Sequence, residues 1–221
     1  MIDLHTHSFL SDGALIPSEL LRRAEHKGIE ALAITDHVDA SNVDFVVPRL
    51  VEVCRACAPH MEIRPLPGAE ITHAPPETIP GLAEQARALG AAIVIVHGET
   101  PAEPVRPGTN RAALDAPIDF LAHPGLITPE EVDLARERGI ALEITARRGH
   151  NIANGHIARR ALAAGAELVL NTDAHDPGDL IGDEMARTVL LGAGIPVDRL
   201  DAVFKKMQIL ANEAGARLRR A

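Results

Sequence analysis

The sequence is poor in aromatic residues and carries no excess of basic ones. Only 2% of the 221 residues are aromatic, and neither Trp nor Tyr occurs. The formal net charge is −9. A chain of this composition offers few rings for stacking bases and little basic surface for following a phosphate backbone. We therefore expect no long nucleic acid among its partners.

Cysteines are also scarce. Cys54 and Cys57 form a single C-x-x-C pair, and no second pair completes a four-cysteine zinc site. Because both fall in an amphipathic stretch of helical period, we interpret them as structural thiols kept reduced by their compartment.

Long apolar runs are missing too. The longest, such as residues 91–96, fall far short of the roughly 20 residues that a bilayer span needs. The start of the chain shows no signal-peptide pattern. We expect no membrane association and a cytoplasmic location. The length and the 46% hydrophobic content favour one compact domain, residues 1–221.

Short β-branched runs alternate with longer segments of helical period, which is typical of βα units around a parallel sheet. The pattern predicts seven strands, at residues 2–5, 30–36, 62–70, 91–97, 119–123, 140–145 and 167–173. It predicts helices at residues 17–27, 43–58, 79–89, 109–115, 129–138, 154–164 and 179–192, followed by a longer helix within 197–218.

Several residues mark the ends of these helices. Pro17 and Pro129 suit a first helical turn, and Thr128 with Glu131 fits a capping box. Glycines at positions 28, 90, 139 and 165 stand where helices should end.

Six of the eleven histidines lie at the ends of predicted strands: His5, His7, His37, His97, His123 and His175. Three carboxylates accompany them, those of Asp12, Glu70 and Asp173. Alternate residues on a strand point the same way, so pairs such as His5 and His7 can share one cation. Ligands from six strands meet only if the sheet closes, which favours a barrel over an open doubly wound sheet.

Nine imidazole and carboxylate ligands are too many for one tetrahedral ion and suit a cluster of two or three divalent ions. Asp36, next to His37, is expected to orient a neighbouring histidine from outside the ligand set. Of the other histidines, His26, His60 and His73 are interpreted as surface residues without partners, and His156 as structural.

Phosphate groups favour arginine, whose planar fork matches phosphate oxygens in pairs. The sixth predicted strand ends without a metal ligand and is followed by Arg147, Arg148 and His150. We predict Arg148 or Arg147 as the phosphate contact and His150 as a candidate substrate contact. Arg106 and Arg111, in the loop after His97, are further candidates.

These motifs resemble those of the PHP family, the polymerase and histidinol phosphatase domains, over almost the whole chain. They read His5-Thr-His7, Ser11-Asp12-Gly13, Thr35-Asp36-His37, Gly68-Ala-Glu70, His97-Gly, Ala122-His123-Pro-Gly and Thr172-Asp173-Ala-His175. The resemblance implies a distorted seven-stranded TIM-like (β/α)7 barrel, here with an extra C-terminal helix, and a trinuclear site holding zinc, iron or manganese.

The resemblance also implies how the ligands are shared. His5, His7 and Asp173 would hold one ion. His97 and His123 would hold a second, with Glu70 bridging the two. Asp12, His37 and His175 would hold the third. Some family members have histidine where this chain has Asp12, which leaves the metal preference open.

These inferences predict a metal-dependent phosphomonoesterase acting on a small phosphate ester, histidinol-phosphate-like or a nucleotide. A hydroxide held between the metals would attack phosphorus, with Glu70, Asp173 and His175 as the catalytic residues.

Three alternatives stay open: a phosphodiesterase or exonuclease activity, a non-catalytic metal-binding module, and an amidohydrolase. The last usually uses a strand-end lysine, and the three lysines here, at positions 27, 205 and 206, are not so placed. The oligomeric state is not predicted.

Overall fold

The computed structural model describes residues 1–219 and is built around a parallel sheet that curves into a nearly closed barrel. The strands run in the order β1-β2-β4-β5-β6-β7-β8, and a short β3 pairs with β4. Their bounds are β1 Ile2–Thr6, β2 Ala31–Ile34, β3 His37–Val38, β4 Arg64–Ile71, β5 Ile93–His97, β6 Phe120–Ala122, β7 Ala141–Thr145 and β8 Leu168–Asn171.

The barrel closes where β1 meets the end of β8. The His7 N–H donates to the Ala174 carbonyl at 2.8 Å, and the Asp173 N–H donates to the His5 carbonyl at 2.9 Å. Thr6 and Ala174 form a parallel bridge there. The closed arrangement confirms the predicted barrel and brings both ends of the ligand pattern together.

Side chains hold the deeper part of the same seam. Asn171 Oδ1 accepts the Leu4 N–H at 2.8 Å, and the Asp3 carboxylate accepts the Thr172 N–H at 3.2 Å and its hydroxyl at 2.5 Å. Burial raises the pKa of Asp3 to about 6, against these hydrogen bonds, which lower it. These buried hydrogen bonds therefore fix the register of β1 against β8.

Within residues 1–219, eight α-helices surround the barrel, close to the predicted bounds: α1 Pro17–His26, α2 Val43–Cys57, α3 Ile79–Ala88, α4 Thr109–Leu114, α5 Pro129–Arg138, α6 Asn154–Ala164, α7 Asp183–Gly192 and α8 Leu200–Leu218. The predicted capping box is present, with the Glu131 N–H donating to Thr128 Oγ1 at 3.2 Å. The four predicted terminal glycines all have positive φ. None of the helices within residues 1–219 is both long and apolar enough to cross a bilayer.

Two predicted elements differ from the structure. The second strand, predicted at 30–36, stops at Ile34, and pairing resumes in β3, where His37 lies in register with Glu70. Helix α7 begins at Asp183 rather than at residue 179, because Asp179 Oδ2 accepts the N–H groups of His175 and Asp176 and holds a turn. Both irregular segments lie at the carboxyl end of the barrel.

Candidate metal centre

The nine predicted ligands lie together at the carboxyl end of the barrel, around the fully buried carboxylate of Glu70. Glu70 Oε1 lies 3.3 Å from His5 Nε2, 3.4 Å from His97 Nδ1 and 3.5 Å from His123 Nε2. Glu70 Oε2 lies 2.8 Å from His37 Nδ1 and 3.6 Å from His7 Nε2. One carboxylate therefore faces five imidazoles.

Asp173 faces three of the same histidines, His5, His7 and His123. Its Oδ1 lies 3.2 Å from His7 Nε2 and 3.4 Å from His175 Nδ1, and its Oδ2 lies 3.7 Å from His123 Nε2. The carboxylate is 3% exposed. It therefore shares the inner part of the cluster with Glu70.

Asp12 stands at the rim, with its side chain 56% exposed. Its Oδ1 lies 3.1 Å from His175 Nε2, 3.4 Å from His37 Nε2 and 4.0 Å from His7 Nδ1. Asp12, His37 and His175 thus form the expected group, and His7 joins them while also facing Asp173. The structure divides the nine residues into overlapping groups rather than three separate triads.

The donor atoms of the cluster are incompletely satisfied. Within residues 1–219, six buried side-chain nitrogen or oxygen atoms lack a hydrogen-bond partner, and five of them belong here: His7 Nδ1, Glu70 Oε1, both ring nitrogens of His97, and His123 Nδ1. An unpaired buried polar group costs about 1–3 kcal/mol. Lone pairs converging on a common space from imidazole and carboxylate fit divalent zinc, iron or manganese.

The protonation states of the histidines differ across the cluster. Burial, and then the neighbouring charge of His37, lowers the pKa of His7 to about 3, so its ring is neutral. Burial opposes protonation of His37 and His97 as well. The carboxylates around them outweigh burial and raise their pKa to about 10 and about 9. In the metal-free protein these two rings carry protons that a cation would have to displace.

Backbone strain is concentrated at the site. Three non-glycine residues within 1–219 have positive φ, namely His123 at 24°, His73 at 51° and Asp173 at 52°. Such conformations cost on the order of 1–3 kcal/mol each and cluster at functional sites. The turn after His123 needs Gly125, at φ +66°, because a Cβ there would lie 1.9 Å from the Glu99 carbonyl oxygen. The local fold thus holds His73, His123 and Asp173 in place at an energetic cost.

Glu143, in the middle of β7, is a supporting residue that sequence reasoning missed. Its Oε1 lies 2.8 Å from His5 Nδ1 and accepts from Asn171 Nδ2 at 2.9 Å. Its Oε2 accepts the His123 N–H at 2.9 Å. A carboxylate behind a ligating histidine fixes its tautomer and orientation. The available signal was a charged residue inside an otherwise apolar strand.

The expectation for Asp36 was wrong. Its carboxylate accepts the Ser8 N–H at 2.7 Å, the Ser8 hydroxyl at 2.6 Å and the Ser11 hydroxyl at 2.5 Å. It therefore fixes the loop after β1 rather than orienting a histidine. This loop carries Asp12, so Asp36 still contributes to the position of a predicted ligand.

Two of the four candidate arginines lie in the turn after β7. Arg147 Nη1 lies 3.1 Å from Asp179 Oδ2, the oxygen that also accepts the His175 N–H. Arg148 is exposed and, within residues 1–219, has no carboxylate at ion-pair distance.

The other two arginines are paired on the surface. Arg111 lies on α4, and its Nε is 2.9 Å from Asp115 Oδ2. Arg106 Nη1 lies 3.5 Å from Glu77 Oε2. The structure does not bring either of them into contact with the nine ligands.

His150 lies beside the cluster. Its ring stacks on His123 with centroids 4.3 Å apart, its Nδ1 lies 2.7 Å from Thr100 Oγ1, and its Nε2 lies 3.9 Å from Asp173 Oδ2. Burial, then the charge of His123, lowers its pKa to about 4. His156, in contrast, donates to the Ile127 carbonyl at 2.8 Å, in keeping with a structural role.

His73 does have a partner, contrary to the sequence interpretation. Its Nε2 lies 3.0 Å from Glu103 Oε2, and Glu103 reaches His97 and His150 as well. Glu103 was also missed, because it lies in an irregular Pro-rich loop where no periodicity marks inward-facing positions.

The Glu143→Gln variant tests the support behind His5. A glutamine has only one acceptor oxygen for the three donors that Glu143 serves, so we expect metal affinity to fall about 10–100-fold. Competition against a chromogenic chelator measures this change. Glu131→Gln, in the exposed capping box of α5, is the matched control. An unchanged affinity in Glu143→Gln would contradict the role.

Proton release tests the charge state of the cluster. Because His37 and His97 are protonated at pH 7 in the metal-free protein, metal binding should release at least two protons and should tighten as the pH rises. Calorimetric titration with zinc in buffers of different ionisation enthalpy gives the number of protons released. Binding without proton release would show that these rings are already neutral.

Comparisons with known proteins point to one family. The family model of the PHP domain matches residues 3–150. An uncharacterised protein of Methanocaldococcus jannaschii is 46% identical over 201 residues, which cover 90% of this chain and 92% of that protein.

Solved structures match the fold. A chain in the cryo-EM structure of archaeal ribonuclease P with mature tRNA has a TM-score of 0.70 at 18% identity, covering 98% of this chain and 91% of that one. Histidinol phosphate phosphatase from Lactococcus lactis, complexed with zinc, L-histidinol and phosphate, has a TM-score of 0.61 at 17% identity, covering 88% and 94%. With the family match over two thirds of its length, this chain belongs to the PHP domain family.

Proposed function

We propose that this protein is a metal-dependent phosphomonoesterase acting on a small phosphate ester, histidinol-phosphate-like or a nucleotide. Membership of the PHP family supports a metal-dependent hydrolase. The observation that carries the proposal is the convergence of nine imidazole and carboxylate side chains, five of whose buried donor atoms lack hydrogen-bond partners.

Two or three divalent ions, zinc, iron or manganese, would supply an activated water and the positive charge that phosphoryl transfer demands. The nine ligands proposed to hold them are His5, His7, Asp12, His37, Glu70, His97, His123, Asp173 and His175. Glu70 faces five of the histidines and is the proposed bridging carboxylate. Asp173 and His175, on the strained segment after β8, complete the catalytic group with Glu70.

The turn after β7 is the proposed phosphate-binding segment. Arg148 is exposed and free of ion pairs within residues 1–219, so its guanidinium can pair with phosphate oxygens without first leaving a carboxylate. Arg147 is already paired with Asp179 and would have to exchange partners. Arg148 is therefore the first choice and Arg147 the second.

His150 would contact the substrate between this turn and the cluster. The ring lies against His123, and one nitrogen is fixed by Thr100, so its other nitrogen faces Asp173 and Glu103. A neutral imidazole there can donate or accept one hydrogen bond. The acidity of the chain favours a small substrate over a long polyanion.

Activity against phosphate esters tests the function. Zinc-, manganese- and iron-loaded protein should hydrolyse one or more phosphate monoesters, and Asp173→Asn should lower kcat at least 100-fold while the fold is retained, since it removes a charge from the cluster. Rates on a panel of monoesters and diesters, with circular dichroism, measure both effects. The exposed Asp176→Asn variant is the control.

The panel also separates the alternatives. Preference for diesters or oligonucleotide ends would indicate a phosphodiesterase, and the absence of hydrolysis by fully metal-loaded protein would indicate a binding module. Full phosphatase activity in metal-free protein would contradict the proposal altogether.

The Arg148→Met variant tests phosphate recognition. A charged hydrogen bond contributes about 1.5–3 kcal/mol, so kcat/KM on the preferred monoester should fall about 10–100-fold. Steady-state kinetics measure the loss, with Arg147→Met and Arg111→Met as comparisons. Arg136→Met, on the exposed face of α5, should leave the rate unchanged. A larger loss in Arg147→Met or Arg111→Met than in Arg148→Met would transfer the role to that arginine.

A further inference from the structure

We propose that His73, Glu103 and His97 form an additional divalent-cation site at the rim of the barrel, beside the nine-residue cluster. Glu103 Oε2 lies 3.0 Å from His73 Nε2 and 3.1 Å from His97 Nε2. The three ligand atoms all lie within 4.8 Å of one another. The site goes beyond the proposed phosphatase function, which does not use His73 or Glu103.

The separations fit a metal ion. Around a tetrahedral zinc with bonds of about 2.0–2.1 Å, neighbouring ligand atoms lie about 3.3 Å apart. Ordinary hydrogen bonds have similar lengths, so distance alone does not decide between the two. The hydrogen-bond geometry does: His97 Nε2 is buried and makes no hydrogen bond, although Glu103 Oε2 is only 3.1 Å away. That nitrogen lies beside the rim group without a hydrogen bond to it.

His97 has one nitrogen for each site. Its Nδ1 faces Glu70 in the deep cluster at 3.4 Å, and its Nε2 faces Glu103. Both nitrogens are buried without hydrogen-bond partners. If each nitrogen gives a lone pair to one cation, both ring protons of the protonated imidazole leave to solvent. The shared imidazole would link occupancy of the rim site to that of the deep cluster.

The backbone at His73 is an independent observation. His73 is one of three non-glycine residues with positive φ in the described chain, and the other two, His123 and Asp173, are proposed metal ligands. A surface histidine that only pairs with a glutamate has no need of a strained conformation. The strain places the ring 5.0 Å, centroid to centroid, from that of His97.

The chemistry and exposure of the group define its ligand. Two imidazoles and one carboxylate suit zinc and similar first-row divalent ions rather than calcium or magnesium. His73 and Glu103 are 41% and 38% exposed, so a bound ion would keep an open position towards solvent. It would also tie the loop at residues 98–108 to the end of β4, next to the entrance of the cluster.

Zinc content tests the site directly. Full-length protein is stripped with chelator, reloaded with excess zinc, desalted and analysed for metal. Wild-type protein should retain one equivalent more than Glu103→Gln and one more than His73→Gln. His60→Gln and Glu77→Gln, which change exposed residues outside the group, should match wild type. Anomalous diffraction at the zinc edge should show a peak between His73 and Glu103.

The opposite results overturn the proposal. If Glu103→Gln or His73→Gln retains the zinc content of wild type, there is no rim site. A lower melting temperature of these variants without metal loss would show that the pair only fastens the loop. Zinc content is measured without any assay of hydrolysis, so the result is independent of whether the protein hydrolyses phosphate esters.

Discussion

The buried carboxylate of Glu70 imposes the constraint on which the site depends. Transfer of an ionised carboxylate from water into a protein interior costs several kcal/mol unless positive charge or hydrogen bonds offset it. Here five imidazoles face its two oxygens, and Oε1 still lacks a hydrogen bond. In the metal-free protein, protonated histidines offset this charge and hold the pKa of Glu70 low. In the proposed loaded protein, divalent ions take over that task.

The fold is arranged to bring these groups to one point. The break in the second strand sets His37 in register with Glu70, and closure of β1 against β8 brings His7 beside Asp173. The Glu143 carboxylate hydrogen-bonds to both the His5 ring and the backbone N–H of His123, the residue that follows β6. Fixed ligands of this kind need little rearrangement when a metal binds, which is the general advantage of a preorganised site.

Much of this was predictable from the sequence, for a physical reason. Strands buried on both faces read as apolar runs, and a histidine that ends such a run stands at the mouth of the barrel. The six histidines of the cluster were predicted in this way, and the structure brings them together with the predicted carboxylates of Asp12, Glu70 and Asp173. Glu143 was missed because its partners are distant in sequence, and Glu103 was missed because it lies in an irregular loop. The reasoning also failed for Asp36, because a strand-end carboxylate can turn towards a loop as readily as towards a ligand. Those contacts depend on tertiary packing, which strand and helix periodicity do not encode.

We expect divalent ions to occupy the space around Glu70. Anomalous diffraction from crystals of protein purified without chelator, recorded at the zinc, iron and manganese edges, tests this most directly. Two or three strong peaks should appear within bonding distance of the nine side chains, with Glu70 between two of them. A well-ordered cluster with no anomalous peak, in which histidines and carboxylates hydrogen-bond only to one another and to water, would contradict it.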